Sequence, residues 1–145
     1  IRSVCIRTGV VLSRESDLIK KAMLPTRFGL GAPLGKGYQY VSWIHIDDLC
    51  HIYIKAIEDT AMRGVYNAVA PAETTNTAFM KTIATAMKKP FFLPPIPEWI
   101  FKLFLGEAAQ IILEGSRTSS QKIEDAGYKF EHANLKETIE YIMQN

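Results

Sequence analysis

Between residues 1 and 87 the chain alternates two hydrophobic periods, and this alternation restricts its fold more than any other feature. Residues 4–12 (VCIRTGVVL) are rich in Val and Ile and poor in charge, which predicts a strand buried on both faces. Asp17 to Leu24 reads as a short helix halted by Pro25. Tyr38 to Ile46 (YQYVSWIHI) is strand-like again, and a helix opens directly after it. In that helix Leu49, Ile52, Tyr53, Ala56 and Ile57 recur at the three-and-four spacing of one buried face. Asp47 or Asp48 is its expected N-cap, with a carboxylate that can accept the orphan N–H groups of the first turn. Gly64 leads into a second buried strand, VYNAVA. Thr74, Thr75 or Asn76 then caps a helix whose apolar face is Phe79, Met80, Ile83 and Met87. Strand, helix, strand, helix predicts α/β layering, with residues 2–11 and 64–70 as parallel strands.

The connecting stretches are equally legible. Residues 25–37 (PTRFGLGAPLGKG) hold four glycines and two prolines, which predicts an irregular loop. A phosphate cradle is the competing reading, but Walker spacing is missing and no helix follows the glycines directly. PFFLPPIP (90–97) is an extended connector, and Pro97 suits a helix N1 position. EWIFKLFL (98–105) is apolar almost all round, which predicts a buried helix rather than a membrane anchor. A further helix is expected over Glu107 to Leu113. Asn134 with Glu137 three residues on predicts a capping box, opening a last helix whose Leu135, Ile139 and Ile142 face inward.

Charge and cysteine content narrow the functional classes. Seventeen Lys and Arg against fifteen Asp and Glu leave a net +2, too weak a field to recruit nucleic acid. No apolar run approaches the roughly 20 residues that span a bilayer, so no membrane contact is expected. Cys5 and Cys50 sit in apolar runs without partners at metal-ligand spacing, predicting two buried, reduced thiols in a cytoplasmic protein. The mid-strand start and the lack of an initiator Met predict a fragment.

Three stretches carry a family resemblance: Arg7-Thr8-Gly9-Val10-Val11-Leu12, the loop from Leu30-Gly31 to Gly37, and Ser42-Trp43-Ile44-His45-Ile46-Asp47-Asp48-Leu49. They resemble the second half of an extended short-chain dehydrogenase/reductase, and most closely its nucleoside-diphosphate-sugar epimerase subfamily. Tyr66-Asn67-Ala68-Val69-Ala70-Pro71, Leu105-Gly106-Glu107 to Leu113-Glu114-Gly115 and Ala126-Gly127-Tyr128-Lys129-Phe130 are similar to later signatures of that subfamily. The resemblance implies the C-terminal part of an NAD(P)-binding Rossmann-type fold. Residues 1–92 would complete the Rossmann and substrate region, and residues 93–145 the family's small C-terminal domain. It also implies NAD or NADP in the intact protein and a small-molecule substrate such as a nucleotide sugar. Strand edges and apolar surface left open by the missing half predict self-association, a homodimer or higher oligomer joined through strand edges or the Trp99–Leu105 helix.

Family enzymes bind the cofactor on a glycine-rich first βα turn and use a Y-x-x-x-K pair, and neither is present in this sequence. Tyr53 has its lysine two residues on, off the helical spacing. No catalytic residue is therefore assigned, no cofactor is expected on this chain alone, and the chain should be catalytically silent. By resemblance, Arg7, Thr8, Gly9 and Val10 fall beside the nicotinamide end of the cofactor. Gly9 reads equally as a strand glycine packed under a neighbour. Relatives that bind sugar nucleotides typically carry an arginine four residues before the histidine of this motif, where Val41 stands here. Val41 cannot make the charge-assisted fork of an arginine. Arg27, Lys36 and Arg117 are the candidates for replacement charge at the substrate, or else solvated surface residues. His45 reads as a satisfied core histidine. The sequence thus supports the substrate-side half of an NAD(P)-dependent epimerase or reductase. Its alternative is a free-standing α/β interaction module that grips a partner through residues 98–113.

Overall fold

The computed structural model describes residues 1–106, 110 and 115–144. The first Val/Ile run forms two consecutive strands, β1 (Val4–Thr8) and β2 (Val10–Leu12), followed by helix α1 (Asp17–Arg27). Next come β3 (Trp43–His45), α2 (Ile46–Glu58), β4 (Gly64–Ala68) and α3 (Asn76–Ala86). Helices α4 (Glu98–Leu105), α5 (Gln121–Asp125) and α6 (Leu135–Gln144) complete the described elements. The pairing is parallel as expected: β1 lies on β4, with Arg7 opposite Asn67, and β2 lies on β3.

The break between β1 and β2 is at Gly9, where the chain changes partners. Gly9 N–H donates to the Ala68 carbonyl at 3.1 Å, and the next residue, Val10, donates to the Ser42 carbonyl at 2.8 Å. A Cβ on Gly9 would meet Ser42 O at 2.7 Å and Val69 Cγ1 at 2.9 Å. Glycine is required there because two neighbouring chains close on the same point.

Two hydrophobic cores flank β3. Trp43 points into one with Leu12, Ile19, Phe79, Met80, Ile83, Leu135, Ile139 and Ile142. Ile44 points into the other with Leu49, Ile52, Met62, Tyr66, Ala68 and Ile123. This is the period of two working at consecutive residues. The C-terminal helix shares the first core with α3, through Leu135, Ile139 and Ile142. Each fully buried Ile or Leu contributes about 1.5–3 kcal/mol of transfer free energy.

Several expectations are corrected. β1 is not buried on both faces: Cys5, Arg7 and Thr8 are exposed. Cys5 and Cys50 are both free thiols and both exposed. Cys50 lies between the inward Leu49 and Ile52 on α2, and Cys5 alternates with the inward Val4 and Ile6. The strand expected over Tyr38–Ile46 is confined to Trp43–His45. Pro25 does not halt α1 but sits inside its last turn, where its ring removes one i→i−4 hydrogen bond without ending the helix. The turn closes with Phe28 N–H and Leu30 N–H donating to the Pro25 carbonyl. Thr75 caps α3, accepting from Ala78 N–H at 3.2 Å. Asn134 accepts from Lys136 and Glu137 N–H at the start of α6.

Pro97 stands at the N-cap of α4 rather than at N1. Burial of that helix is overturned at two positions, since Trp99 is 71% and Leu103 78% exposed. Of the helix expected over Glu107 to Leu113, only Gln110 is described, and it is helical; the rest lies outside the described residues.

Candidate functional site

A cleft of about 710 Å3 opens where β1 and β4 end and β2 begins, within the size range of small-ligand pockets. Arg7, Thr8, Gly9 and Val10 all line it, and so does Arg117. Five of the seven sequence-predicted site residues are thereby brought together. Arg27 and Lys36 are exposed and are not among its lining residues.

The strand switch explains this assembly. Because the chain leaves β4 and joins β3 at Gly9, the backbone of 7–10 is left facing open space beside Ser42 and Val69. Helix α1 adds Asp17, Leu18 and Lys21, one turn of a single face. Segment 115–119 adds Ser116, Thr118 and Ser119. It is tied down by Ser42 Oγ donating to Ser116 O at 2.8 Å and Asn67 Nδ2 donating to Ser119 O at 3.1 Å.

Electrostatically the cleft favours an anion. Arg117 is held by Glu73, its Nε donating to Oε1 at 2.7 Å, which keeps the guanidinium above its ordinary range. Arg7 and Lys21 have no ion-pair partner among the described residues. Two cations outside ion pairs, set against the single carboxylate of Asp17, leave the lining net positive, and with several hydroxyl donors this suits a carboxylate or phosphate held away from Asp17. The helix terminus at this cleft, that of α1, opens on the carboxylate of Asp17. Asp17 opposes a phosphate there, so this wall does not supply the cradle that a dinucleotide pyrophosphate needs. Val41, buried and lining the cleft, adds no charge. Sequence reasoning missed Lys21 and Asn67. Lys21 follows Asp17 at helical spacing, a signal that becomes readable once α1 is oriented.

The His45 motif builds a second cluster. His45, not Asp47 or Asp48, caps α2: its Nδ1 accepts from Asp47 N–H at 3.2 Å. Asp48 is fully buried, and its carboxylate instead accepts from Tyr128 Oη at 2.6 Å and from the N–H groups of Glu131 and His132 at 2.9 Å each. Burial and this bond push the Tyr128 phenol well above its ordinary range. The clamp lays His132 on His45, ring centroids 3.8 Å apart, with Tyr141 against both. Burial, and then the neighbouring His132, lower the His45 pKa.

His45, Asp47 and His132 each bring a ligand atom within 4.8 Å of the others. Two imidazoles on one tetrahedral ion, however, stand with centroids roughly 5 Å apart. Stacking at 3.8 Å and the engaged Nδ1 of His45 make this a packed cap rather than a metal centre.

Comparison with known proteins places this architecture. Residues 96–142 match the model described as Domain of unknown function (DUF1731). The mouse (Mus musculus) "Epimerase family protein SDR39U1" is 37% identical over 143 residues, 98% of this chain and 48% of that protein. The crystal structure of human epimerase family protein SDR39U1 (isoform2) with NADPH superposes with a TM-score of 0.89 at 35% identity, covering 99% of this chain and 49% of that one. The nucleoside-diphosphate sugar epimerase of Corynebacterium glutamicum superposes with a TM-score of 0.70 at 30% identity, covering 95% of this chain and 25% of that one. The chain thus spans about half the length of the curated relatives it matches. Its homologues are epimerase family proteins of the extended short-chain dehydrogenase/reductase type with a Rossmann fold, and the chain corresponds to their C-terminal half.

Proposed function

We propose that this chain is the substrate-side half of an NAD(P)-dependent epimerase or reductase, with the Arg7–Lys21–Arg117 cleft as its substrate wall. The observation that carries the reading is the gathering of Arg7, Thr8, Gly9, Val10 and Arg117 around one cleft whose cations Arg7 and Lys21 stand outside any ion pair among the described residues. When bound, the nicotinamide cofactor supplies hydride chemistry; this chain's residues orient an anionic substrate beside it. Arg7 and Lys21 hold the charge, Asn67 and the 116–119 hydroxyls fix orientation, and Val41 and Val69 present an apolar wall. Arg27 and Lys36 stay outside this set, as solvated residues. The nucleotide sugar in the printed name of the Corynebacterium protein makes that the first substrate class to try.

The test is titration of the chain with UDP-glucose, followed by amide NMR shifts. We expect shifts at Arg7, Asn67 and residues 116–119, weakened roughly tenfold or more by Arg7→Ala together with Lys21→Ala, each charge-assisted contact contributing about 1.5–3 kcal/mol. Shifts absent there, or unchanged in the double variant, refute the cleft. NADPH titrated alone is expected to bind immeasurably, because the pyrophosphate cradle is not on this wall; micromolar affinity would overturn that assignment.

The remaining parts of the reading follow from the same layout. Residues 1–92 serve the Rossmann and substrate region and 93–145 the small C-terminal domain. The setting is the cytoplasm, consistent with two free thiols. The chain forms a homodimer, because β1 is paired in the described sheet with β4 alone and leaves its other edge open to a second strand. Sedimentation giving a clean monomer at high concentration refutes the dimer.

A further inference from the structure

We propose that the surface formed by residues 27–30, 88–92 and helix α4 is a docking face for an anionic lipid surface, independent of the cleft and its substrate. These segments are neighbours in space. A Cβ on Gly29 would lie 3.6 Å from the Pro90 ring, and one on Gly31 3.5 Å from Phe91. Ile96 N–H donates to Pro33 O, Gly35 N–H donates to Ile96 O, and α4 begins two residues later.

On this surface Phe28 is 73% and Phe92 75% exposed, and Leu30, Trp99 and Leu103 are also exposed. Single exposed apolar residues are ordinary, but five on adjoining segments form a patch that calls for a partner. Trp99 and Leu103 stand one turn apart on the same side of α4.

The charge around the patch selects the partner. Arg27, Lys88, Lys89 and Lys102 are all exposed, and Glu98 is the one acid in residues 27–30 and 88–106. Four cations against one acid exceed the +2 of the whole chain, so the positive charge is concentrated here. Lys88 also holds a left-handed backbone (φ 55°), a conformation that glycine would adopt without strain.

The shape favours lipid over protein. Phe28, Phe92, Trp99 and Leu103 line none of the described cavities. A fluid headgroup layer admits exposed Phe, Trp and Leu side chains on a surface without a groove. Trp, Phe and Leu entering the interface while Lys and Arg reach its phosphates is how interfacial helices bind.

The two tryptophans make the test direct, because Trp43 is buried and Trp99 is exposed. The chain is mixed with phosphatidylcholine–phosphatidylserine vesicles and with phosphatidylcholine vesicles alone. We expect a blue shift of Trp99 emission and co-sedimentation with the anionic vesicles, both reversed by salt. Trp99→Glu should abolish co-sedimentation while Trp43 emission reports an intact fold. Lys88→Gln with Lys89→Gln should weaken affinity roughly 30-fold. Co-sedimentation undiminished in Trp99→Glu overturns the proposal. No shift with either vesicle also overturns it.

Discussion

Asp48→Ala is the substitution that tests the architecture most severely. The carboxylate is fully buried and accepts three hydrogen bonds, from Tyr128 Oη and from the N–H groups of Glu131 and His132. All three donors lie 80 or more residues away in sequence, so the clamp stabilises the fold and not a local turn. Hydrogen bonds to a charged group contribute about 1.5–3 kcal/mol each, but they are not additive. Partial access of water to the freed N–H groups brings the expected loss to about 3–5 kcal/mol. Against a total stability of about 5–15 kcal/mol that is a large fraction. For a chain of this size it corresponds to roughly 10–15 °C in melting temperature. The assay is urea unfolding followed by near-ultraviolet circular dichroism, with two graded controls. Tyr128→Phe removes one bond to the carboxylate and should cost about 1.5–2 kcal/mol. Asp48→Asn keeps one acceptor oxygen but turns an amide toward a backbone N–H, and should cost about 2–3 kcal/mol. An Asp48→Ala variant within about 1 kcal/mol of wild type would refute the clamp. The 128–132 segment would then be held by the packing of Tyr128 and Phe130 alone.

Three further outcomes follow from the same contacts. The His45 pKa is lowered in the folded chain by burial and by His132, so the unfolded chain takes up the proton first; stability should fall as pH drops below about 6.5 and level off below the folded value. His45→Asn, which keeps a capping oxygen, should flatten that slope, and an unchanged slope in urea titrations across this range would assign it to another group. Gly9→Ala should cost about 3 kcal/mol, since its Cβ would meet the Ser42 carbonyl oxygen at 2.7 Å and backbone cannot swing aside; wild-type stability by thermal melting would show that the strand switch is loose. Cys5 and Cys50, both exposed, should both react with a thiol reagent in the native state at rates near those of the denatured chain; a thiol protected until unfolding would restore the buried reading.

The sequence by itself determined the layering, and it did so through local periods. The three-and-four spacing of Leu49, Ile52 and Ala56 places α2 against its core, while Tyr53 and Ile57, read as part of the same buried face, are exposed. The Phe79–Met80–Ile83 face does the same for α3, and Val/Ile runs at 4–8 and 64–68 are the strands that pair in parallel. Each of these features is legible because its hydrogen bonds or its buried face recur within a few residues. Cysteine and Trp exposure were not legible, because an apolar run says that something is covered and not which residues are. The cap of α2 went to His45 because Asp48 was drawn into a bond with Tyr128, a competitor no local pattern contains. The cleft was half legible. Family resemblance places Arg7 to Val10 at a strand end and Arg117 is among the sequence candidates, but Lys21 and Asn67 are not, and all of them meet because the chain switches strand partners at Gly9. Which strands pair is set by contacts between distant segments, whose energies depend on how the whole chain packs, and so the site exists as a set of neighbours in the folded molecule alone.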